Sequence, residues 1–323
     1  MIRKLLQRVF KGSPSSSKAG PRTAKTSGSV KRIPAKTHKI NRKLLSTGAI
    51  KTTEGLQKAG FEAFIVGGAV RDLLLKKRPK DFDIATNATP EQVNRVFRRS
   101  RIIGRRFRLV HVLFGEETVE VSTFRGSHLN DDGDAKIADS GRILRDNVFG
   151  SQEDDALRRD FTANALYYDP SSEDVLDFHH GYEDIQAGIL RMIGDPVTRY
   201  REDPVRILRV ARFAARFADF TVAPETLALM REMVADGEVH ALVPERVWQE
   251  LSRGLMADTP SRMFEVLRAC GALKVLLPEV DRLWGVPQRA EKEWGSDSNC
   301  LGAERVQAAV TAMFLNAPVA IFF

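Results

Sequence analysis

The stretch FIVGGAVRDLLLKKRPKDFDIAT, residues 64–86, decides the fold of the N-terminal half of this 323-residue chain. A short apolar run leads into Gly67-Gly68, a helical and then a basic turn follow, and the motif Asp81-Phe82-Asp83 comes next. We interpret this order as strand, glycine turn, helix, loop and strand. Because side chains alternate along a strand, the two aspartates share a face while Phe82 points into the core.

Asp81 and Asp83 predict a site for a divalent metal ion that carries a nucleotide triphosphate. Two adjacent carboxylates repel each other unless a cation lies between them. Glycines can bring backbone N–H groups close to phosphates. Taken alone, either a pair of aspartates at a strand end or a pair of glycines is more often a solvated turn, so the interpretation depends on the residues that follow.

Further acids lie on a predicted strand over 118–125 and on a predicted helix over 154–165, which also carries Arg158 and Arg159. Glu120 would join Asp81 and Asp83 if the two strands are neighbours, and such a triad can hold two Mg²⁺ ions for in-line phosphoryl transfer. On the helix, Asp160 and Asn164 are four residues apart and therefore share a face.

Residues 100–115 predict a hairpin with a cationic turn that contains Arg105, Arg106 and Arg108. Guanidinium groups in this arrangement suit phosphate or RNA contacts, and a solvated loop is the alternative. We expect His111, in the second strand of the hairpin, to be packed or hydrogen-bonded rather than a metal ligand. Residues 126–152 are polar and lack periodicity, which predicts a mobile loop.

A helix is predicted over 200–217, with Asp203 as its cap and Pro204 in its first turn. Arg206 and Arg209 form a basic face beside an apolar stripe. Such an Asp–Arg group can present hydrogen-bond donors and an acceptor to the Watson–Crick edge of a base, and a surface salt bridge is the alternative. Residues 222–277 are helical throughout in pattern, so an α/β head is followed by a helical region.

Charge is unevenly distributed along the chain, whose net charge is +8. Residues 1–53 contain 14 Lys or Arg and no Asp or Glu, so an N-terminal arm rather than the folded body makes the chain basic. Such an arm favours a polyanion such as RNA through counterion release, with a solubilising tail as the alternative. The two cysteines, Cys270 and Cys300, are far apart, which argues for a reducing compartment. No apolar run approaches the about 20 residues of a membrane span.

The segments GGAVRDLLL, DFDIAT, RRDFTANAL, DFHHG and EDPVRILRVARFAARF occur in this order. Residues 38–290 thereby resemble the class II nucleotidyltransferases, which comprise tRNA CCA-adding enzymes and bacterial poly(A) polymerases. The resemblance implies an α+β fold with a catalytic nucleotidyltransferase head, a mixed β-sheet with flanking helices, over 38–195. It implies an all-helical neck for nucleotide recognition and RNA binding over 196–290. Residues 1–37 would be a disordered basic arm, and residues 291–323 an atypical end that we interpret as truncated or frame-shifted.

The resemblance also implies residue roles. Asp81 and Asp83 would bind Mg²⁺ in a two-metal site, with Glu120 or Asp160 as a further catalytic acid. The implied nucleotide-binding residues are Gly67, Gly68, Arg71, Asp72, Arg159, Asp160, Asn164, Asp203, Arg206 and Arg209. Among these, the glycines with Arg71 and Asp72 would contact triphosphate and ribose, and Asp203 with the two last arginines would read the base.

The segments IIGRRFRLVHV and KKRPKDFDIATNATPEQV resemble the poly(A) polymerase branch more closely. This branch implies addition of AMP from ATP to RNA 3′ ends without a template, by a bacterial cytoplasmic enzyme that we expect to be a monomer. One alternative is a CCA-adding enzyme that matures tRNA. Another is a truncated, non-catalytic RNA-binding fragment.

Overall fold

A computed structural model describes residues 30–104, 108–126, 136–137, 143–145, 149–194 and 203–284. The strands in chain order are β1 (Lys31–Ile33), β2 (Ala63–Val66), β3 (Asp83–Thr86), β4 (Ser100–Ile103), β5 (Leu109–Phe114), β6 (Glu117–Thr123), β7 (Lys136–Ile137), β8 (Ile143–Arg145), β9 (Leu166–Tyr168), β10 (Val175–Asp177), β11 (Ile189–Leu190) and β12 (Thr221–Val222). Eight of them form one mixed sheet in the order β1-β10-β9-β2-β3-β6-β5-β4.

The helices complete the head and build the region after it. They are α1 (Ala35–His38), α2 (Thr47–Lys58), α3 (Gly68–Leu74), α4 (Pro90–Val96), α5 (Gln152–Leu157), α6 (Gly181–Ala187), α7 (Arg206–Arg216), α8 (Pro224–Ala235), α9 (Pro244–Leu255), α10 (Pro260–Ala269), α11 (Ala272–Leu276) and α12 (Pro278–Arg282). Short 3₁₀ turns lie at Arg42–Leu44, Thr162–Asn164 and Glu238–Ala241. This arrangement confirms the predicted α+β head followed by a helical region.

The two faces of the sheet have different cover. On one face, α2 and α3 pack apolar residues such as Leu56 and Val70 against strand residues such as Ile65 and Ile84. The opposite face has a smaller core around Phe124, Ala156 from α5, and Tyr167. Strand residues alternate between the faces, so Asp83 and Glu120 share the less covered face with Ala85 and lie opposite Ile84.

The predicted disorder of residues 1–37 is wrong for the last part of that segment. Lys31–Ile33 forms an antiparallel edge strand against β10, and Ile33 is buried in the core. The high Lys/Arg content hid this strand, because its one inward side chain is apolar and its charged neighbours point to solvent. Residues 1–29 and 285–323 lie outside the described residues, so the predictions for the rest of the arm and for the C-terminal end remain predictions.

The helix predicted over 154–165 is also wrong in extent. Helix α5 ends at Leu157, and Phe161 pairs as an isolated bridge with Met192 before the 3₁₀ turn Thr162–Asn164. Local side-chain bonds explain the break: the Asp160 carboxylate accepts a hydrogen bond from the backbone N–H of Phe161, and the Thr162 hydroxyl donates to Asp184. Such bonds compete with continued helix formation.

The helix predicted over 200–217 is shorter, because α7 begins at Arg206 and residues 200–202 lie outside the described residues. Asp203 is not its N-cap; Val205 takes that position, and its backbone N–H donates to the Asp203 carboxylate at 3.4 Å. The predicted apolar stripe is present, since Ile207, Val210, Ala211 and Ala214 are buried in a core shared with α8 to α11.

Two further features depart from the sequence pattern. The segment predicted as a mobile loop, residues 126–152, contains the short antiparallel pair β7–β8. The helical region also contributes β12, which pairs with β11 in parallel.

Cys270 is a buried free thiol. None of the helices in the described ranges is long and apolar enough to cross a lipid bilayer.

Candidate active site

The candidate site begins with two carboxylates on neighbouring parallel strands. The register of β3 and β6 places Asp83 directly beside Glu120. Although Asp83 keeps contact with solvent, partial desolvation and the negative charges of Glu120 and Asp81 raise the pKa of Asp83 to about 6. The register thus places Asp83 beside Glu120, and the charge of Asp81 also acts on Asp83, while the role of the three acids as a metal site remains a prediction.

The row of charged residues continues across the sheet. His111 on β5 is the register partner of Glu120, and its Nε2 atom lies 3.7 Å from Glu120 Oε2. Arg101 on β4 is in turn the partner of His111. The sequence predicted that His111 is packed or hydrogen-bonded rather than a metal ligand. In the structure, the acidic neighbour of its ring is Glu120.

The carboxylates fit Mg²⁺ only in combination with a substrate. In the parts of the chain that the structure describes, no three His, Cys, Asp or Glu side chains form a group that could hold a metal ion. Mg²⁺ in phosphoryl-transfer sites usually takes one or two carboxylates and completes its shell with water and substrate phosphates. Asp81 and Asp83, whose charges repel each other, suit an ion that arrives with a triphosphate.

Arg159 provides positive charge next to these acids. Its Nη2 lies 2.8 Å from Asp155 Oδ2, and its Nε donates to the hydroxyl of Tyr167 at 3.1 Å. Burial works to raise the pKa of Asp155, but Arg159 and Arg158 outweigh it and hold that pKa below its ordinary value. Arg159 also counteracts the rise in the pKa of Asp83. The guanidinium is therefore fixed in position between structural partners and the acids.

The predicted glycine turn has a conformation that requires glycine. Gly67 adopts a φ of 76° and a ψ of −131°, which side-chain-bearing residues rarely adopt. A Cβ at this position would lie 3.5 Å from Arg159 Nη1, and one at Gly68 would lie 3.4 Å from Arg71 Nη2. Two guanidinium groups thus flank the turn, as expected for a phosphate-binding loop.

Arg71 and Asp72 are both buried and form an ion pair with each other. Arg71 Nη1 donates to Asn164 Oδ1 at 2.5 Å, and Arg216 from α7 donates to Asp72 Oδ2 at 3.0 Å. The Arg71 guanidinium also lies 4.7 Å from the ring centroid of Phe217. These residues join the head to α7, and their predicted triphosphate and ribose contacts remain predictions.

Asp160 belongs to this second network rather than to the acid row. Asn164 Nδ2 donates to Asp160 Oδ1 at 3.3 Å, and Arg209 Nη2 lies 2.7 Å from Asp160 Oδ2. The sequence predicted that Asp160 and Asn164 share a helix face. The two side chains do meet, but Asn164 lies in a 3₁₀ turn after helix α5 has ended. The register partner of Asp83 is Glu120, so the geometry favours Glu120 as the third acid.

Asp203 has a partner that the sequence did not indicate. Arg246 on α9 forms a bidentate ion pair with the Asp203 carboxylate, with N–O distances of 2.9 and 2.8 Å. Arg206 and Arg209 lie in the first turn of α7, so the three predicted base-reading residues occur in one region. Arg246 is 43 residues away from Asp203, and no local spacing could have identified it.

Of the three arginines predicted to contact RNA on the hairpin turn, the structure describes one. Arg105 and Arg106 lie outside the described residues. Arg108 forms an ion pair with Glu91 on α4, at 2.5 Å. Its position beside α4 indicates that Arg108 anchors the hairpin, and its role in RNA binding remains a prediction.

The DFHHG segment has a structural role in this fold. The Asp177 carboxylate accepts hydrogen bonds from the backbone N–H groups of His179, Gly181 and Tyr182, at 3.0, 3.0 and 2.9 Å. It thereby satisfies N–H groups at the start of α6 that have no partner within the helix. The sequence interpretation did not assign this function.

Three features of this site are typical of the class of nucleotidyltransferases. They are acids on adjacent strands of an open sheet face, a glycine turn flanked by guanidinium groups, and a helical region with Asp–Arg pairs. Comparison with family models agrees. Residues 63–191 match the poly A polymerase head domain, and residues 219–283 match the probable RNA and SrmB-binding site of polymerase A. The chain belongs to the poly(A) polymerase family of nucleotidyltransferases, which is related to the CCA-adding enzymes.

Relatives from both branches are similar to this chain. Poly(A) polymerase I of Salmonella typhimurium is 46% identical over 253 residues, which are 77% of this chain and 54% of that protein. The multifunctional CCA protein of Verminephrobacter eiseniae is 48% identical over 273 residues, or 81% of this chain and 61% of that protein. The chain thus spans about half to three fifths of the length of these curated relatives.

Solved structures of CCA-adding enzymes share the fold. The Bacillus stearothermophilus CCA-adding enzyme in complex with CTP is 30% identical and superimposes with a TM-score of 0.60. The match covers 70% of this chain and 52% of that chain. The fold of this chain is therefore similar to that of a CCA-adding enzyme over 70% of its length.

Proposed function

We propose that this chain is the catalytic portion of a polynucleotide adenylyltransferase that adds AMP from ATP to RNA 3′ ends without a template. The observation that carries the chemistry is the register of Asp83 and Glu120, which concentrates negative charge next to Arg159. The similarity to poly(A) polymerase I supports adenylation in particular. The bacterial cytoplasm as its location and a monomeric state belong to the same proposal.

In this mechanism the protein supplies positioning and charge, and no covalent intermediate is needed. Asp81 and Asp83 would hold Mg²⁺, with Glu120 as the further acid. When bound, the divalent ion neutralises phosphate charge and lowers the pKa of an attacking hydroxyl. Asp83 must be ionised to serve as a ligand, which its pKa of about 6 allows at neutral pH.

Other residues would orient the nucleotide. A triphosphate would lie at the turn at Gly67, where the nearby guanidinium of Arg159 would balance its charge. Asp203, held by Arg246, would accept a hydrogen bond from the adenine amino group, while Arg206 and Arg209 would donate to the base. A fixed orientation of these groups would select one nucleotide over another, because mismatched hydrogen-bond partners in a desolvated site are costly.

CCA addition to tRNA is the second candidate function. It is favoured by the 48% identity to a multifunctional CCA protein over a larger share of this chain. Both functions would use the same acids and differ in base selection and in the RNA that is accepted.

A nucleotide panel tests the proposal. The protein is incubated with Mg²⁺, labelled ATP or CTP, and either an unstructured RNA or a tRNA that lacks its 3′ end. Long A tails on the unstructured RNA are expected, and incorporation of CTP that stops after two residues would support the CCA-adding function instead. The Asp83→Asn variant controls for contaminating activity. RNA retention without incorporation of any nucleotide would indicate a non-catalytic RNA-binding fragment and would contradict both.

A further inference from the structure

A basic cleft of about 510 Å³ opens at the edge of the sheet where β3 and β6 begin. Its three cations are Lys43, from the 3₁₀ turn before α2, and Arg78 and Lys80, from the loop that leads into β3. The remaining lining residues are Leu44, Leu45, Ser46, Pro79, Phe82 and Glu117. We call this feature the basic cleft.

The cations of the basic cleft lack acidic partners. Within the described ranges, the side chains of Lys43, Arg78 and Lys80 form no ion pair. The carboxylate in the lining, Glu117, instead accepts a hydrogen bond from the backbone N–H of Gly48 at 3.2 Å. Three cations and the one Glu117 carboxylate give the lining a net charge of +2, which favours an anionic ligand.

A second arginine-lined cleft, between α7 and α9, differs in this respect. Arg212 there is paired with Glu250, and Arg216 is paired with Asp72. The guanidinium groups of Arg212 and Arg216 thus have acidic partners and stabilise the packing of the helices, while Arg253 and Asp258 also line that cleft. The basic cleft is therefore the better candidate for a site that recruits a polyanion.

The basic cleft lies at the same sheet edge as the acids, on the opposite side of the sheet. Phe82, which lines the cleft, is buried on the helix-covered face, so Asp81 and Asp83 point to the opposite face. Glu117 precedes Glu120 by three residues on β6, a distance of about 10 Å along a strand. The cleft and the acid row thus occupy opposite sides of the same sheet edge.

We propose that the basic cleft binds a backbone phosphate of the RNA strand whose 3′ end reaches Asp81 and Asp83. This inference rests on the proposed function, because it assigns a subsite to the RNA substrate. In the proposed function, the glycine turn at Gly67 takes the triphosphate beside the acids. A ligand in the cleft has to pass around the sheet edge to reach them, which requires a long polyanion. The half-exposed Leu44 adds apolar surface for a sugar or base.

The test measures RNA affinity without chemistry. A fluorescein-labelled oligoadenylate is titrated with full-length protein in EDTA, without ATP, at several salt concentrations. The test variant is Lys43→Gln/Arg78→Gln/Lys80→Gln. The control variant, Lys36→Gln/Lys39→Gln/Lys58→Gln, removes the same charge from exposed lysines of the head that do not line the cleft. Thermal unfolding curves verify that both variants fold.

For a single strand, each phosphate contact contributes about 0.7 to the slope of log K against log salt. Because the proposal assigns one phosphate to the basic cleft, the test variant should have a slope that is smaller by about 0.7, whereas the control should have the wild-type slope. Equal losses in both variants would overturn the proposal. A loss of ATP affinity in the test variant with an unchanged RNA slope would overturn it too, and would assign the cleft to the triphosphate.

A second measurement uses only wild-type protein, so it does not depend on the folding of a variant. Neutral methylphosphonates replace the phosphates of the oligoadenylate one at a time, beginning at the 3′ end. Replacement at one position near that end should weaken binding several-fold, whereas replacement at the neighbouring positions should have a smaller effect. A uniform effect at all positions would refute a defined subsite. AMP incorporation by wild-type protein is measured separately, so failure of the proposed function is distinguishable from failure of this inference.

Discussion

The substitution Asp83→Asn should make the metal-free protein more stable at pH 8 while it abolishes nucleotide transfer. Asp83 has a pKa near 6 because it is partly desolvated and lies beside Glu120 and Asp81. Its ionisation is therefore unfavourable in the folded state, and an asparagine of similar shape removes that unfavourable charge. A catalytic ligand that destabilises its own fold is expected where charge is collected for a metal ion.

The magnitude follows from the pKa shift. The rise from the ordinary value of 3.8 to about 6 corresponds to about 3 kcal/mol at 1.36 kcal/mol per unit. Since the Asp83 side chain keeps contact with water, screening reduces this figure to about 1 kcal/mol. For a protein of this size, we expect an increase in Tm of about 1–2 °C.

The sign depends on pH. The folded state holds the Asp83 proton more tightly than the unfolded state does, so the associated stability is fully present below pH 3.8 and is lost as pH rises through about 6. The gain in Asp83→Asn should therefore be complete at pH 8, smaller at pH 5, and absent near pH 3.8.

Differential scanning fluorimetry in EDTA at pH 5 and pH 8 measures this effect. Asp219→Asn removes a carboxylate from an exposed position after α7 and is the matched control, with no expected change at either pH. Addition of Mg²⁺ and ATP should stabilise wild-type protein more than Asp83→Asn. The reasoning is wrong if Asp83→Asn is less stable than wild type at pH 8 in EDTA, or if its gain is the same at both pH values.

Three other substitutions test separate parts of the structure. Gly181→Ala should lower the free energy of unfolding in urea by about 1–3 kcal/mol, because the new Cβ would lie 2.1 Å from the backbone oxygen of Thr162; unchanged stability would contradict the packing of α6. Arg246→Gln should reduce the preference for ATP over CTP, measured by kcat/KM, by about tenfold through loss of the ion pair with Asp203, and an unchanged ratio would show that Arg246 does not position it. Glu120→Gln should lower the raised pKa of Asp83, followed by carboxyl ¹³C NMR, and an unchanged pKa would separate the two residues.

Much of the head was predictable because its elements have strong local signals. The stretch 64–86 forms β2, α3 and β3 as predicted, and α4 begins with the capping box at Thr89. Alternation along the strands correctly separated Asp83 from the buried Phe82, and Glu120 from the buried Val119 and Val121. The order of strands cannot be read from alternation alone, so the parallel pairing of β3 with β6 was a conditional prediction that the register confirms.

Contacts between distant segments were not predictable. The sequence gives no local signal that Arg216 meets Asp72, or that Arg246 meets Asp203, because these pairs form only when helices of the neck pack together and against the head. Asp155 could have been found, since it precedes Arg159 by four residues and helix faces favour such pairs. The end of helix α5 at Leu157 was also not predicted. No Gly or Pro marks it, and the side-chain hydrogen bond of Asp160 that follows has no signature in the hydrophobic pattern.

The ion pair of Arg71 and Asp72 connects the head to the neck, so the long-range contacts affect the geometry of the site. Both side chains are buried, and Asp72 is bound from the head by Arg71 and from α7 by Arg216. Removal of the Asp72 carboxylate would leave the buried Arg71 guanidinium without its acidic partner, at a cost of about 3–5 kcal/mol. The network therefore fixes α7, which carries Arg209, relative to the turn at Gly67. In the proposed function, this rigid connection sets the distance between the groups that hold the triphosphate and those that read the base, so selection of the nucleotide depends on packing as much as on the residues that contact it.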